Sequence, residues 1–303
     1  MGWRLTFKCS ASFQQEKIAI CNPLLPEEMP GLSQHGNHEH QTRNSLTFGR
    51  MKTVFITGAT SGFGEACADV FARNGHPLIL NGRRVDRLLT LKTRLEDDYG
   101  ISCHLLPFDV QSRRSVFSAI DSLPEPWKEI DILINNAGLA LGRDSFDAAD
   151  LDDWETMIDT NLKGLLYVSK AVVPLMIAQN GGHIINLGSV AAKDVYDKGN
   201  AYCATKAAVE TISKAMRIEL LPHRIKVTAI HPGAAETEFA LVRFKGDEET
   251  AKKTYTGIEP LTAKDVADII FYCATLPPNV CINDLVVTCL QQADGIYFNR
   301  NGQ

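Results

Sequence analysis

Two side chains four residues apart, Tyr202 and Lys206, have the chemistry to move a proton together. A free tyrosine titrates at about 10 and is a poor base at neutral pH. Bringing it to about 7 requires roughly 4 kcal/mol of preference for the phenolate. A spacing of four sets both groups on one helix face, so the lysine ammonium can supply part of that field. Far earlier, Thr57-Gly58-Ala59-Thr60-Ser61-Gly62-Phe63-Gly64 lies between a β-branched run and a helical pattern. A helix N-terminus carries unpaired N–H groups and a partial positive charge, and so attracts pyrophosphate. Glycines let the backbone turn tightly and approach such a ligand with no Cβ in the way. The strand before the glycines and the helix after them predict a phosphate cradle.

The spacing is G-x-x-x-G-x-G, not the G-x-G-x-x-G of ordinary dinucleotide folds, and Thr57 precedes it. In this it resembles the cofactor motif of the short-chain dehydrogenase/reductase family. The family's other marks follow in order: Asn135-Asn136-Ala137-Gly138, Asn161, Ser189, the Y-x-x-x-K of Tyr202 and Lys206, and Pro232-Gly233. The resemblance spans essentially all of 51–303. It implies hydride transfer between a nicotinamide and a hydroxyl or carbonyl carbon. On that reading Tyr202 is the acid/base, and Ser189 aligns the substrate oxygen with it. The resemblance gives Lys206 the nicotinamide ribose as well, and gives Asn161 a water that links Lys206 to solvent. It places Asp109-Val110 beside adenine and counts Thr237 among the cofactor contacts.

Which nicotinamide is expected follows from the end of the second strand. NAD-binding folds hold the ribose 2′-hydroxyl there with an acid. This chain reads Asn81-Gly82-Arg83-Arg84. An acid would repel a 2′-phosphate, whereas arginine pairs with phosphate through a planar fork. The expectation is NADP(H), held by Arg83 and Arg84, with Gly82 leaving room for the added group. Further wording resembles the NADP-dependent 3-hydroxy acid dehydrogenase branch: Lys198-Gly199-Asn200-Ala201-Tyr202, His231 through Phe239, and Val242-Arg243-Phe244-Lys245-Gly246-Asp247. His231 departs from what the branch leads one to expect before Pro232. A β-hydroxy acid carries a carboxylate that needs a cationic partner, and Arg243 is favoured over Lys245 because its fork binds bidentately. The other reading is that both are solvated loop charges or pair with Asp247, Glu248 or Glu249. Two other functions stay open at this stage: a reductase for acyl, sugar or aromatic carbonyls, and an NADPH sensor without turnover.

These residues must be positioned by elements. Short apolar runs at Val54–Thr57, Leu78–Leu80, Cys103–Phe108, Ile130–Asn135, His183–Leu187, Lys226–Ile230 and Leu285–Thr288 read as strands. Helical patterns at Gly64–Asn74, Arg84–Tyr99, Arg113–Ser122, Trp154–Gln179, Tyr202–Leu220 and Lys264–Thr275 alternate with them. The fold class expected is α/β: a Rossmann-like, doubly wound parallel sheet of about seven strands with helices on both faces. The segment 240–257 is polar and is expected to be a long loop that acts as a lid. The long helices at Trp154–Gln179 and Tyr202–Leu220 carry apolar residues beyond one core stripe, and by resemblance build a homotetramer.

Composition agrees with a globular enzyme. Of 303 residues, 45% are apolar and 22% charged, and a net charge of −5 offers no surface for nucleic acid or anionic membrane. No run of about 18 apolar residues appears. Eight scattered cysteines without a C-x-x-C suggest reduced thiols in a cytoplasmic enzyme, with neither a disulfide frame nor a zinc site. Residues 1–50 lack periodicity and are expected to lie outside the folded domain, with Met51 as the initiator and 51–303 as a single domain. Gly2 with Thr6 fits a loose acylation pattern, and His35, His38 and His40 could hold a metal, but a solvated tail explains both.

Overall fold

The computed structural model describes residues 50–301. The expectations for the N-terminal segment, including Gly2, Thr6 and the three histidines, lie outside the described residues.

Among the described residues nine strands are formed: β1 Val54–Ile56, β2 Leu78–Leu80, β3 Cys103–Leu105, β4 Ile132–Asn135, β5 Gly182–Leu187, β6 Ile225–Pro232, β7 Ala235–Glu236, β8 Leu261–Thr262 and β9 Asp284–Val287. Ten helices are α1 Gly62–Arg73, α2 Val85–Tyr99, α3 Arg113–Asp121, α4 Glu125–Lys128, α5 Leu151–Ile158, α6 Leu165–Ala178, α7 Asn200–Leu220, α8 Glu238–Arg243, α9 Glu248–Lys253 and α10 Ala263–Thr275. Seven strands make one sheet in the order β3-β2-β1-β4-β5-β6-β9, and every pairing is parallel.

Side chains alternate across this sheet and divide the core in two. Val54 and Ile56 face a cluster with Cys67, Ala68 and Phe71 of α1, Leu88, Leu91 and Leu95 of α2, and Val266 and Ile270 of α10. Phe55 points the other way, into a cluster with Val116 of α3 and Val168, Val172 and Met176 of α6. Strands covered on both faces carry apolar residues on both, with few interruptions, which explains the near-continuous runs in the sequence. Strand order reverses between β1 and β4, and that is where a parallel sheet opens a crevice at its carboxyl edge.

Two expectations about elements need correction. The long helix drawn over 154–179 begins at Leu151 and is interrupted by a π-helical turn at Asp159–Gly164. Apolar periodicity cannot show one extra residue per turn. The segment 240–257 is not a loop but mostly α8 and α9, each with its own cap. Thr237 accepts from the Phe239 N–H at 3.2 Å, and Asp247 accepts from the Thr250 N–H at 3.1 Å. Both helices have six residues, too few for a periodic signal. The run Leu151–Ala178 is long and apolar enough, by length and composition, to cross a membrane. It carries Asp152, Asp153, Lys163 and Lys170, and packs Val168, Val172 and Met176 on the sheet as a core helix does.

Candidate active site

The glycine loop joins β1 to α1. Gly58 and Gly62 have φ of +65° and +55°, the left-handed region that residues with a Cβ avoid. Gly64 is needed for space: a Cβ there would meet the Gly58 carbonyl oxygen at 2.2 Å and Asn136 Nδ2 at 2.5 Å. The turn after β4 is laced onto this loop. Asn136 donates from Nδ2 to the Thr57 and Gly58 carbonyls at 2.9 and 3.1 Å. The Asn136 and Ala137 N–H groups each donate to Thr57 Oγ1 at 3.0 Å. Two neighbouring strand ends at the point of sheet reversal are thus locked together.

The crevice above them has a volume of about 310 Å³, within the usual range for ligand sites. Of the residues expected from the sequence, Gly58, Thr60, Ser61, Gly62, Phe63, Arg83, Arg84, Asp109, Val110, Asn136, Ala137, Gly138, Tyr202, Lys206 and Thr237 all line it. Gly64, Asn161, Ser189 and Arg243 are not part of the lining. Pro232 and Gly233 are not part of the lining either, and Gly233 packs on Gln292, whose Oε1 a Cβ would meet at 2.1 Å. Asn81, Gly82, Leu139, Thr160, Glu238 and Phe239 are additional lining residues. They come from loops, the π-helical turn and the first turn of the six-residue α8, where no periodicity marks which side chain turns inward.

The two arginines have different surroundings. Arg84, the N-cap of α2, donates to Thr60 Oγ1 and Ser61 Oγ at 3.0 Å each and pairs with Glu238 at 3.3 Å. It braces the glycine loop. Arg83 is 64% exposed and has only Asp109, at 3.7 Å. Its fork therefore meets the crevice with little to displace. Gly82 does not leave open room, contrary to expectation. A Cβ there would meet Thr60 Cγ2 at 2.8 Å, so the glycine lets the loop close against β2.

Tyr202 and Lys206 sit on α7, 8% and 6% exposed. Lys206 Nζ donates to the Leu187 carbonyl at 2.8 Å and lies 6.0 Å from the Tyr202 ring centroid. Burial draws its pKa down to about 8. Burial also pushes the Tyr202 phenol well above its ordinary value, and Tyr196 adds to the rise. A hydrogen bond with Ser189 and the Arg243 charge oppose it. The lysine alone therefore does not depress the phenol, as the spacing suggested; desolvation of both groups outweighs their attraction. Ser189 begins the turn after β5 and accepts from the Ala191 N–H at 3.1 Å.

Asn161 lies on the π-helical turn. Its Oδ1 accepts from the Leu139 N–H at 2.8 Å, and its Nδ2 donates to the Leu139 carbonyl at 2.8 Å and to Thr205 Oγ1 at 3.1 Å. The side chain is thus spent on holding the β4 turn beside Lys206. Arg243 ends α8 and turns inward. Its Nε donates to the Gly142 carbonyl at 3.2 Å, and its Nη1 to the Tyr196 hydroxyl at 3.0 Å. Its Cζ lies 5.6 Å from the Tyr202 ring centroid. The alternative pairing with Asp247, Glu248 or Glu249 is not what forms, and Lys245 instead pairs with Asp153 at 2.8 Å. Tyr196, which the sequence reading passed over, completes this wall.

The short chain dehydrogenase family model matches residues 52–247. The chain belongs to the short-chain dehydrogenase family. Among the curated members, the NADP-dependent 3-hydroxy acid dehydrogenase YdfG of Salmonella typhi is 46% identical over 250 residues, covering 82% of this chain and 99% of that protein. Sulfoacetaldehyde reductase 2 of Chromohalobacter salexigens is 46% identical over 241 residues, covering 79% and 95%. Among solved members, the closed form of serine dehydrogenase complexed with NADP+ superposes with a TM-score of 0.76 at 44% identity, covering 83% of this chain and all of that one, 100%. Family membership explains why the glycine cradle, the β4 turn and the tyrosine–lysine pair converge on one crevice.

Proposed function

We propose that this chain is an NADP-dependent oxidoreductase acting at the 3-hydroxyl carbon of small β-hydroxy acids such as serine, allo-threonine or 3-hydroxypropionate, and on the matching semialdehydes. The single observation that carries the reading is the Arg243 guanidinium, held 5.6 Å from the Tyr202 ring by Gly142 and Tyr196. A buried anion requires a cationic, multi-donor partner, and arginine's fork suits a carboxylate. The relatives' names point the same way, since a 3-hydroxy acid and sulfoacetaldehyde both carry an anionic group near the reacting carbon. A reductase for apolar acyl or aromatic carbonyls would need a pocket without that cation. A non-catalytic NADPH sensor would have no need of Tyr202 and Lys206 in the crevice.

The cradle fits the dinucleotide. Its glycines keep Cβ atoms out of the approach, and Arg83 offers a fork where a 2′-phosphate would lie. The bound nicotinamide supplies or accepts the hydride. Tyr202 gives its proton to the carbonyl oxygen in reduction and takes it back in oxidation. Ser189 holds that oxygen in line with the phenol. Lys206 keeps a cation beside the ring and the β5 end. Exposed Leu151, Ile158 and Leu166 on α5 and α6 support the family's four-subunit assembly for this chain as well.

The test is NADPH-linked turnover of acidic and neutral substrates by the Arg243→Met variant. The Michaelis constant for 3-hydroxy acids should rise about tenfold or more, while neutral alcohols of similar size change little. Equal loss on both classes would remove Arg243 from the site.

A further inference from the structure

His231 is fully buried at the end of β6, yet the chemistry above does not use it. Its ring packs against the segment that presents Ser189. A Cβ on Gly188 would meet His231 Nδ1 at 2.4 Å and Cε1 at 2.6 Å, so only glycine admits the ring there. Nδ1 lies 3.2 Å from the Ser189 carbonyl oxygen, aligned for a hydrogen bond. On the other side, Nε2 approaches Asp284 Oδ1 to 2.7 Å, but off line for a hydrogen bond. Asp284 shares its charge with Lys193 at 2.6 Å, and Lys193 reaches Glu210 at 3.0 Å, which in turn pairs with Lys214.

This places the proton. Burial lowers the ring's pKa from the ordinary histidine value, and Asp284 opposes the shift while Lys193 adds to it. Near neutral pH the ring then carries one proton. Both neighbours only accept, the Ser189 carbonyl at Nδ1 and the Asp284 carboxylate beside Nε2, but the aligned contact is the one at Nδ1, and that alignment assigns the single proton there.

We infer that His231 is a positioning residue for Ser189. Its Nδ1–H holds the Ser189 carbonyl, and that hold sets the direction of the Ser189 hydroxyl toward Tyr202 and the substrate oxygen. The Asp284–Lys193 pair walls the ring in from behind. Ser189 stands on a short turn in extended backbone, with φ −173° and ψ 157°, so one fixed carbonyl orients the whole residue. Misplacement of about 1 Å at a reacting group can cost about 10²-fold in rate.

The inference rests on the oxidoreductase reading, and a mutant cycle with an independent probe separates the two. His231→Ala should lower kcat about tenfold or more with the KM for NADPH unchanged. In the Ser189→Ala background the same change should cost less than about twofold, because the group it orients is gone. His231→Asn, whose amide nitrogen takes the Nδ1 position, should restore most of the activity; His231→Gln, which places a donor nearer Nε2, should not. Losses that add in the cycle, or equal rescue by Asn and Gln, would overturn the inference. The second probe needs no turnover: nitrogen-15 NMR of the wild-type protein should show His231 as the neutral Nδ1–H tautomer near pH 7. The Nε2–H tautomer would overturn the inference whatever the enzyme's substrate proves to be.

Discussion

At the scale of single residues, like side chains part company by what surrounds them. Arg83 and Arg84 are adjacent in sequence, yet one faces the crevice with a single long ion pair and the other is tied to Thr60, Ser61 and Glu238. Arg83→Ala should therefore weaken NADPH binding about tenfold or more, since a hydrogen bond to a charged group contributes about 1.5–3 kcal/mol. NADH, lacking the phosphate, should bind as before; titrating both by fluorescence decides, and equal weakening would make Arg83 structural. Tyr202 poses a different problem. Its phenol is raised by burial, and Lys206, itself drawn down to about 8, does not reverse that. The Ser189 hydrogen bond and the Arg243 charge pull the phenol down, and an oxidised nicotinamide, when bound, would add its positive charge to theirs. Tyr202→Phe should cut turnover by about 10²–10⁴-fold while NADPH affinity stays within about twofold. Near-normal turnover in single-turnover assays would assign the proton to another group.

At the scale of elements, the site is held by contacts between strand ends rather than by any one motif. The glycine loop closes on the β4 turn so tightly that a methyl group at Gly64 would lie 2.2 Å from the Gly58 carbonyl. Gly64→Ala must push backbone against backbone, which costs about 1–3 kcal/mol in a packed site. The expected result is a Tm lower by several degrees and a large loss of NADPH affinity, read by differential scanning and cofactor titration. An unchanged Kd would mean that the loop relaxes without disturbing the cradle. The π-helical turn acts similarly. It presents Asn161 to Leu139, and Gly164 within it leaves space for Val110, whose Cγ2 a Cβ would meet at 2.8 Å. An even α-helix would turn one of these two contacts away.

For the whole molecule, the parallel sheet buries polar groups as well as apolar ones. His183 on β5 is nearly enclosed, with Nε2 2.7 Å from Thr228 Oγ1, and burial draws its pKa down to about 3. His76 and His231 are lowered too, each chiefly by burial. Unfolded, these rings take up protons near the ordinary value of about 6.5. Between that value and about 3 the unfolded chain binds more protons than the folded one, so stability is lost as pH falls through this window. Melting temperatures measured from pH 7 down to 4 should fall steadily, and His183→Gln should flatten the slope. A slope unchanged by that substitution would assign the acid sensitivity to other groups.

The alternation of strands and helices, the glycine spacing of the cradle, the shared helix face of Tyr202 and Lys206 and the motifs of the family were legible in the amino-acid sequence alone. Each of these is local: a glycine spacing, an i, i+4 pair, or a run of β-branched residues carries its meaning within about ten residues. Tertiary structure decided what depends on distant partners. Which of the two crevice arginines is tied down was settled in part by Glu238, 154 residues from Arg84. The inward turn of Arg243 was settled by Tyr196 and Gly142, and the role of His231 by Asp284 and the Ser189 turn. The balance of burial against charge that sets the Tyr202 and Lys206 titrations likewise exists only once both are enclosed. A pattern along the chain records which residues can make these contacts, but packing chooses among them, because the energy of a charge or a hydrogen bond depends on what else has been excluded from around it.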